Sequence, residues 1–119
     1  MSQWSGNFAF QNKLGGTITS GTAKHWTTDW GTEEIDLAGL EDGDTSLSKS
    51  FTASSSNKDR WAFTATLADG TTYGVKEKDC GFEFEDAGKT VTLQAIYSNG
   101  DGTFVVAMPV SSSCDTSFS

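Results

Sequence analysis

Large apolar residues alternate with polar ones along most of the chain, and the alternation is clearest from residue 60 to residue 75. On one parity of its first half lie Trp61, Phe63, Ala65 and Leu67. The other parity holds threonines and an alanine, so an extended chain would place the two sets on opposite faces. The sequence Asp69-Gly70 then favours a tight turn, after which the alternation resumes. This stretch therefore predicts a β-hairpin.

Similar short runs occur along the rest of the sequence. The predicted strands cover residues 7–11, 17–26, 33–40, 47–53, 60–67, 73–75, 82–85, 91–97 and 104–110. Turn sequences such as Asn99-Gly100 separate them, and no apolar stripe of helical period is present. The pattern predicts one all-β domain over residues 1–119, an antiparallel β-sandwich of about nine short strands, with a closed β-barrel as the alternative.

Three local features qualify this prediction. Gly21 interrupts the second strand and indicates a β-bulge. The polar tail from about residue 111 is expected to be loose unless Cys114 is bonded or Phe118 docks. Cys80 and Cys114 are the only cysteines and lack the spacing of a zinc site, so they are either one disulfide or two buried thiols.

Charge narrows the classes of partner. The chain carries 16 acidic and 8 basic residues, for a formal net charge of −8. Without clustered cations, nucleic acid is not an expected partner. The same balance opposes docking on anionic lipids and permits recognition of a neutral headgroup or a sugar. The opening residues contain no signal-peptide pattern, so the chain is either leaderless or already trimmed, which leaves its localisation open; a leaderless protein would be cytoplasmic or non-classically secreted.

The sequence does not favour catalysis or a cofactor. His25 is the only histidine, and no serine lies in a GxSxG motif. Glu33 and Glu34 would point to opposite faces of a strand, whereas Glu83 and Glu85 would share a face about 7 Å apart on the solvated side of theirs. We therefore expect no enzymatic activity.

Two acidic turns contain oxygen ligands of the kind that calcium prefers. They are residues 41–44, Glu-Asp-Gly-Asp, and residues 99–102, Asn-Gly-Asp-Gly. Neither extends into a twelve-residue EF-hand loop, and pairs of this type are common in hairpin turns. We interpret both as turns and expect no metal site.

Tryptophans in a polar stretch suggest a binding site. The strands already supply large residues to the core, so the indoles of the segment WTTDW are surplus to packing and suited to stacking on a sugar or lying at a lipid interface. The alternative is that they cap an open end of the sandwich. We expect His25 at the surface near them. The candidate ligand-binding residues are His25, Trp26, Asp29 and Trp30, with Trp4 and Tyr97 as neighbours.

The order of several short motifs resembles that of the aegerolysins and related small insecticidal β-sandwich proteins. The matching pieces are the sequence NKLG at residues 12–15, Asp42-Gly43-Asp44 before a strand that ends in FTASS, and Asp69-Gly70 before Tyr73. The resemblance implies a β-sandwich that recognises a membrane lipid headgroup. Some members of that group also recruit a larger pore-forming partner, so the resemblance implies that such a partner is possible here.

Three functional hypotheses follow. The first is a non-enzymatic protein of a toxin or pore-forming system that binds a membrane lipid through Trp26 and Trp30. The second is a lectin in which the same indoles stack on a glycan while Asp29, Asn57 or Asp59 bind its hydroxyls. The third is a structural protein without a small ligand. Exposed strand edges are also compatible with a homodimer.

Overall fold

The computed structural model describes residues 3–28, 31–54 and 58–118. These residues form nine strands and one 3₁₀ turn, Phe84–Asp86. The strands are β1 Gln3–Lys13, β2 Ile18–Thr27, β3 Gly31–Asp36, β4 Lys49–Ser54, β5 Arg60–Leu67, β6 Thr72–Asp79, β7 Thr90–Ser98, β8 Asp101–Ala107 and β9 Cys114–Phe118. The predicted number of short strands is confirmed for this part of the chain.

The strands form two sheets, which confirms the sandwich rather than the closed barrel. One sheet has five strands in the order β4-β1-β7-β8-β9, and the other has four in the order β3-β2-β5-β6. Neighbouring strands are antiparallel with one exception, the parallel pair β1 and β7. That pair joins the beginning of the chain to its last third, a contact that local turn sequences do not predict.

The core lies between the two sheets, and its residues follow the predicted parity. Phe8 and Phe10 project inward from β1, while Trp61 and Phe63 face them from β5. Each of these side chains is almost completely removed from water, which contributes about 1.5–3 kcal/mol per large apolar side chain. The hairpin predicted from residue 60 onward is present as β5 and β6.

The irregular register of β2 agrees with the predicted bulge. The pairing of β2 with β5 shifts between Ile18 and Ser20, next to Gly21. A Cβ atom on Gly21 would collide with the backbone of Thr64, so glycine allows the two strands to approach closely here.

The tail and the segment after Cys80 differ from the expectation. A disulfide joins Cys80 to Cys114, and the tail continues as β9, in which Phe118 packs on Phe63. Both conditions for an ordered tail are therefore met, and the prediction of a loose tail is wrong. Residues 82–85, expected as a strand, instead enter the 3₁₀ turn. Phe82 is buried there directly over β1, where a Cβ on Gly6 would collide with its ring.

The sandwich is elongated, with a longest extent of 46 Å, and its two ends differ. One end carries the start of β1, the 3₁₀ turn and residues 108–113, and we call it the aromatic end after Trp4 and Phe84. The other carries the turns at residues 68–71 and 99–100. Among the described residues, no helix has the length and apolar character needed to cross a bilayer.

Candidate functional site

The six residues selected from the sequence do not form one site. Trp4, His25 and Trp26 lie toward the aromatic end, because β1 begins and β2 ends there. Asp29 and Trp30 lie outside the described residues, so their place in the site stays a prediction. The remaining residue, Tyr97, lies at the opposite end.

Tyr97 belongs to a separate aromatic cluster. Its ring contacts that of Tyr73 at a centroid distance of 4.8 Å, and Phe118 contacts Tyr73 at 5.6 Å. Along the paired strands β1 and β7, Tyr97 is about ten residues from Trp4, which is roughly 33 Å at the rise of a strand. Partial burial, with Tyr97 nearby, raises the pKa of the Tyr73 phenol above its ordinary value of 10.0. Including Tyr97 in the site was therefore wrong.

His25 is not at the surface, and that expectation was wrong. Its side chain lies between the sheets and is 0% exposed. The ring is packed between Phe51, at a centroid distance of 4.2 Å, and Trp61, at 4.6 Å. A ligand outside the sandwich has no access to this imidazole, so His25 does not contact one directly.

Two carboxylates hold the His25 ring at its two nitrogens. Nδ1 lies 2.7 Å from Oε1 of Glu33, and Nε2 lies 2.7 Å from Oδ1 of Asp59. Each ring nitrogen therefore has a carboxylate oxygen within hydrogen-bonding distance, which fixes the orientation of the ring. We call His25, Glu33 and Asp59 the buried trio. Glu33 lies on β3, and Asp59 immediately precedes β5.

Asp59 connects the buried trio to the aromatic end. Its second carboxylate oxygen, Oδ2, accepts a hydrogen bond of 2.8 Å from the Phe82 backbone N–H. Its backbone carbonyl accepts another from Cys80 N–H at 3.1 Å. Because the carboxylate is buried and fully engaged, Asp59 is not available to a glycan, and the lectin hypothesis loses this residue. Asn57 lies outside the described residues.

Trp4 supports an exposed aromatic ring that the sequence reasoning missed. The Trp4 indole donates a hydrogen bond of 3.0 Å to the carbonyl oxygen of Phe82. The ring of Phe84 meets Trp4 nearly perpendicularly, at a centroid distance of 5.8 Å, and Phe84 is 73% exposed. The predicted strand at residues 82–85, with Glu83 and Glu85 on its solvated side, would instead have directed Phe84 inward. Departure from the strand at the 3₁₀ turn sends the two rings in different directions.

Asp86 fastens the 3₁₀ turn to residues 108–113. Its buried carboxylate accepts hydrogen bonds from the backbone N–H groups of Val110, at 3.0 Å, and Ser111, at 2.9 Å. It also accepts from the Ser111 hydroxyl and from the Glu83 backbone N–H. The backbone that carries Phe84 is thus held to the backbone that carries Val110, which is 52% exposed. The aromatic end presents two apolar side chains on one braced support.

These hydrogen bonds give Asp86 an acid-sensitive role in stability. Burial alone would raise the pKa of Asp86, but the bonds from Ser111, Glu83 and Val110 outweigh it and lower the pKa below its ordinary value of 3.8. Because the folded-state pKa is the lower one, the carboxylate contributes its full stabilisation above pH 3.8. That contribution is lost as the pH falls through the folded-state pKa.

Replacement of Asp86 with asparagine is expected to cost about 1–3 kcal/mol at pH 7, because the amide accepts fewer of these hydrogen bonds. Urea unfolding at pH 7, 3 and 2 would measure the difference from the wild type, which should shrink on acidification as the wild-type carboxylate takes up its proton. Asp115→Asn, at an exposed position of β9, is the matched control. A difference that is the same at all three pH values would contradict this role.

Trp26 lies on the outer face of the four-stranded sheet and is partly exposed, whereas Trp4 belongs to β1 of the other sheet. It borders a shallow groove of about 530 Å³ that also exposes lysine, threonine and glutamate side chains. This outward projection leaves the indole open to a ligand, and its role in binding stays a prediction. Among the described residues, no group of three or more histidine, cysteine, aspartate or glutamate side chains is placed to hold a metal ion.

Comparison with known proteins gives no family for this chain. No protein-family model and no curated protein sequence matches it. The aromatic end and the groove beside Trp26 are the two candidate binding surfaces of the described residues.

Proposed function

We propose that this protein is a non-enzymatic recognition protein that binds the surface of a zwitterionic membrane through its aromatic end. The observation that carries the proposal is the exposed ring of Phe84, 73% accessible and supported at its edge by Trp4. Transfer of an exposed aromatic ring from water to the boundary between lipid headgroups and acyl chains is favourable. Val110 offers a second apolar contact from the adjoining loop.

The size of this surface suits reversible binding. Transfer of a Phe84-sized side chain out of water contributes about 1.5–3 kcal/mol, and the smaller Val110 contributes less. Such a total corresponds to weak, reversible partitioning, comparable with a single short lipid anchor rather than with a spanning segment. A specific headgroup contact would have to supply any further affinity.

Charge favours a zwitterionic rather than an anionic surface. The chain has a net charge of −8, and Glu83 and Glu85 are exposed on either side of Phe84. Carboxylates near a surface rich in phosphatidylserine are repelled, whereas phosphocholine headgroups carry no net charge. The resemblance of the sequence to the aegerolysins supports the same class of target. By that resemblance we extend the proposal to cooperation with a larger pore-forming partner.

Sedimentation with vesicles of phosphatidylcholine, sphingomyelin and cholesterol at physiological salt tests the proposal. The wild type is expected to sediment with these vesicles and less with vesicles that also contain phosphatidylserine. Phe84→Ser should lower the partition coefficient about tenfold, because it removes most of the apolar contact.

Leu47→Ser is the matched control. Leu47 is another apolar residue, 90% exposed. It lies far from the aromatic end, because its neighbour Ser46 donates a backbone hydrogen bond to Phe10, which is about 20 Å from Trp4 along β1. Its replacement should leave partitioning unchanged. Failure of the wild type to bind any of these vesicles, or equal losses in the two variants, would contradict binding through the aromatic end.

A further inference from the structure

The groove on the outer face of the four-stranded sheet is a second surface, separate from the aromatic end. It is open to solvent, has a volume of about 530 Å³ and combines one indole with polar and charged groups. Its polar and aromatic lining consists of Thr22, Lys24, Trp26, Thr32, Glu34, Thr64 and Lys76.

The register of the sheet explains this composition. Lys24 of β2 stands opposite Glu34 of β3 on one side and Ala62 of β5 on the other, and Trp26 is one outward position further along β2. Ala62 has only a methyl group, so the central row is low and forms the floor of the groove. The pairing of β5 with β6 shifts between Trp61 and Phe63, next to Ala62, and Lys76 borders the groove from β6.

The lysines of the groove are free of ion pairs with carboxylates of the described residues. Arg60, by contrast, lies 3.7 Å from an oxygen of Asp79 and 3.9 Å from one of Glu77. Lys24 pairs with Ala62 of β5, and Lys76 follows Val75, the β6 partner of Phe63, so the Cα atoms of the two lysines are about two strand spacings, or ~10 Å, from each other. Two ammonium groups against the single carboxylate of Glu34 leave the lining of the groove with a net positive charge, in a chain whose net charge is −8.

We propose that the groove binds a carboxylated saccharide. The apolar face of a pyranose ring stacks on Trp26, and the sugar carboxylate lies between the ammonium groups of Lys24 and Lys76. The threonine hydroxyls on the floor and wall, which both donate and accept, bind the sugar hydroxyls. The groove shares no residue with the aromatic end, so saccharide binding and membrane binding can be tested independently of each other.

Isothermal titration calorimetry with trigalacturonate and with 3′-sialyllactose tests the proposal and distinguishes the two sources of a sugar carboxylate. Binding of either is expected, with quenching or a spectral shift of tryptophan fluorescence. The methyl ester of trigalacturonate keeps the rings and loses the charge, so it should bind about tenfold more weakly. Absence of binding by both acidic sugars, or equal affinity for the ester, would overturn the proposal.

Variants locate the binding in the groove. Lys24→Gln combined with Lys76→Gln should reduce affinity for the acidic sugar about tenfold and abolish the preference over the ester. Trp26→Ala should weaken the acid and the ester alike. Lys13→Gln, at the end of β1 remote from the groove, should change neither. Thermal unfolding of each variant verifies that it is folded, and unchanged affinity in the folded double variant would overturn the assignment.

Discussion

Replacement of His25 with leucine is expected to destabilise the protein by about 3–5 kcal/mol, the usual cost of leaving a buried charge without its partner. Leucine can fill the space between Phe51 and Trp61, so the loss is not chiefly one of packing. What changes is Asp59, whose carboxylate would retain the Phe82 N–H and lose the imidazole. Since small domains unfold at a cost of about 5–15 kcal/mol, this one change removes a large part of the total.

Urea unfolding of three variants separates charge from packing. His25→Leu combined with Asp59→Asn should recover part of the loss, because the asparagine carbonyl can still accept from Phe82 N–H and no charge remains buried. Glu33→Gln alone should cost only about 1 kcal/mol, because the Glu33 side chain is 19% exposed and water reaches it. A stability of His25→Leu within about 1 kcal/mol of the wild type would contradict a role for the buried trio in stability.

Removal of the disulfide has the second large expected effect. Cys80 and Cys114 close a loop with a sequence separation of 34, for which chain entropy gives about 3–4 kcal/mol of stabilisation. The bond also tethers β9, a strand of five residues that pairs with β8 and, among the described strands, lies at the edge of its sheet. Cys80→Ser combined with Cys114→Ser should therefore lower global stability and loosen β9 in particular.

Urea unfolding and amide hydrogen exchange of this double variant measure the two effects. Exchange should become faster at residues 114–118 than in β7, which lies inside the same sheet. Dithiothreitol should destabilise the wild type to a similar extent and leave the double variant unaffected, which provides the control. Equal stability of wild type and variant under oxidising conditions would contradict the role of the bond.

The parts of the fold that local pattern could predict are those with one buried face and a local turn. Trp61 and Phe63 follow strict alternation, and the Asp69-Gly70 turn returns the chain at once, so neighbouring residues contain all the information needed for that hairpin. Parallel pairing of β1 with β7 was not predicted, because it depends on contacts between distant parts of the chain. Period-two patterning specifies faces but not partners.

The candidate site was predicted only in part for the same reason. Trp26 projects outward, a face that the sequence left open because Gly21 interrupts the alternation of its strand. His25 is buried because Glu33 and Asp59, 8 and 34 residues away, supply acceptors that make burial of a polar ring affordable. Phe84 is exposed because Asp86 bonds to residues 110 and 111 and ends the extended run. Both outcomes rest on long-range hydrogen bonds that leave no local signature.

The buried trio and Asp86 suggest how a small domain keeps aromatic side chains exposed without collapse. Asp59 fixes the segment at Phe82, and Asp86 fixes the turn that follows, so Phe84 is presented from backbone held at two points. Rigid presentation matters because ordering a mobile loop on binding would consume much of the free energy that one ring supplies. Stability of this end and membrane affinity should therefore be coupled.

Nuclear magnetic resonance of the ¹⁵N-labelled protein with phosphatidylcholine and sphingomyelin nanodiscs, doped with a gadolinium-chelating lipid, tests membrane docking through the aromatic end most directly. Paramagnetic broadening should be strongest at residues 83–86 and 109–112 and weak at the opposite turns, residues 68–71 and 98–101. Broadening that is uniform, or strongest at those opposite turns, would contradict docking through Phe84 and Val110.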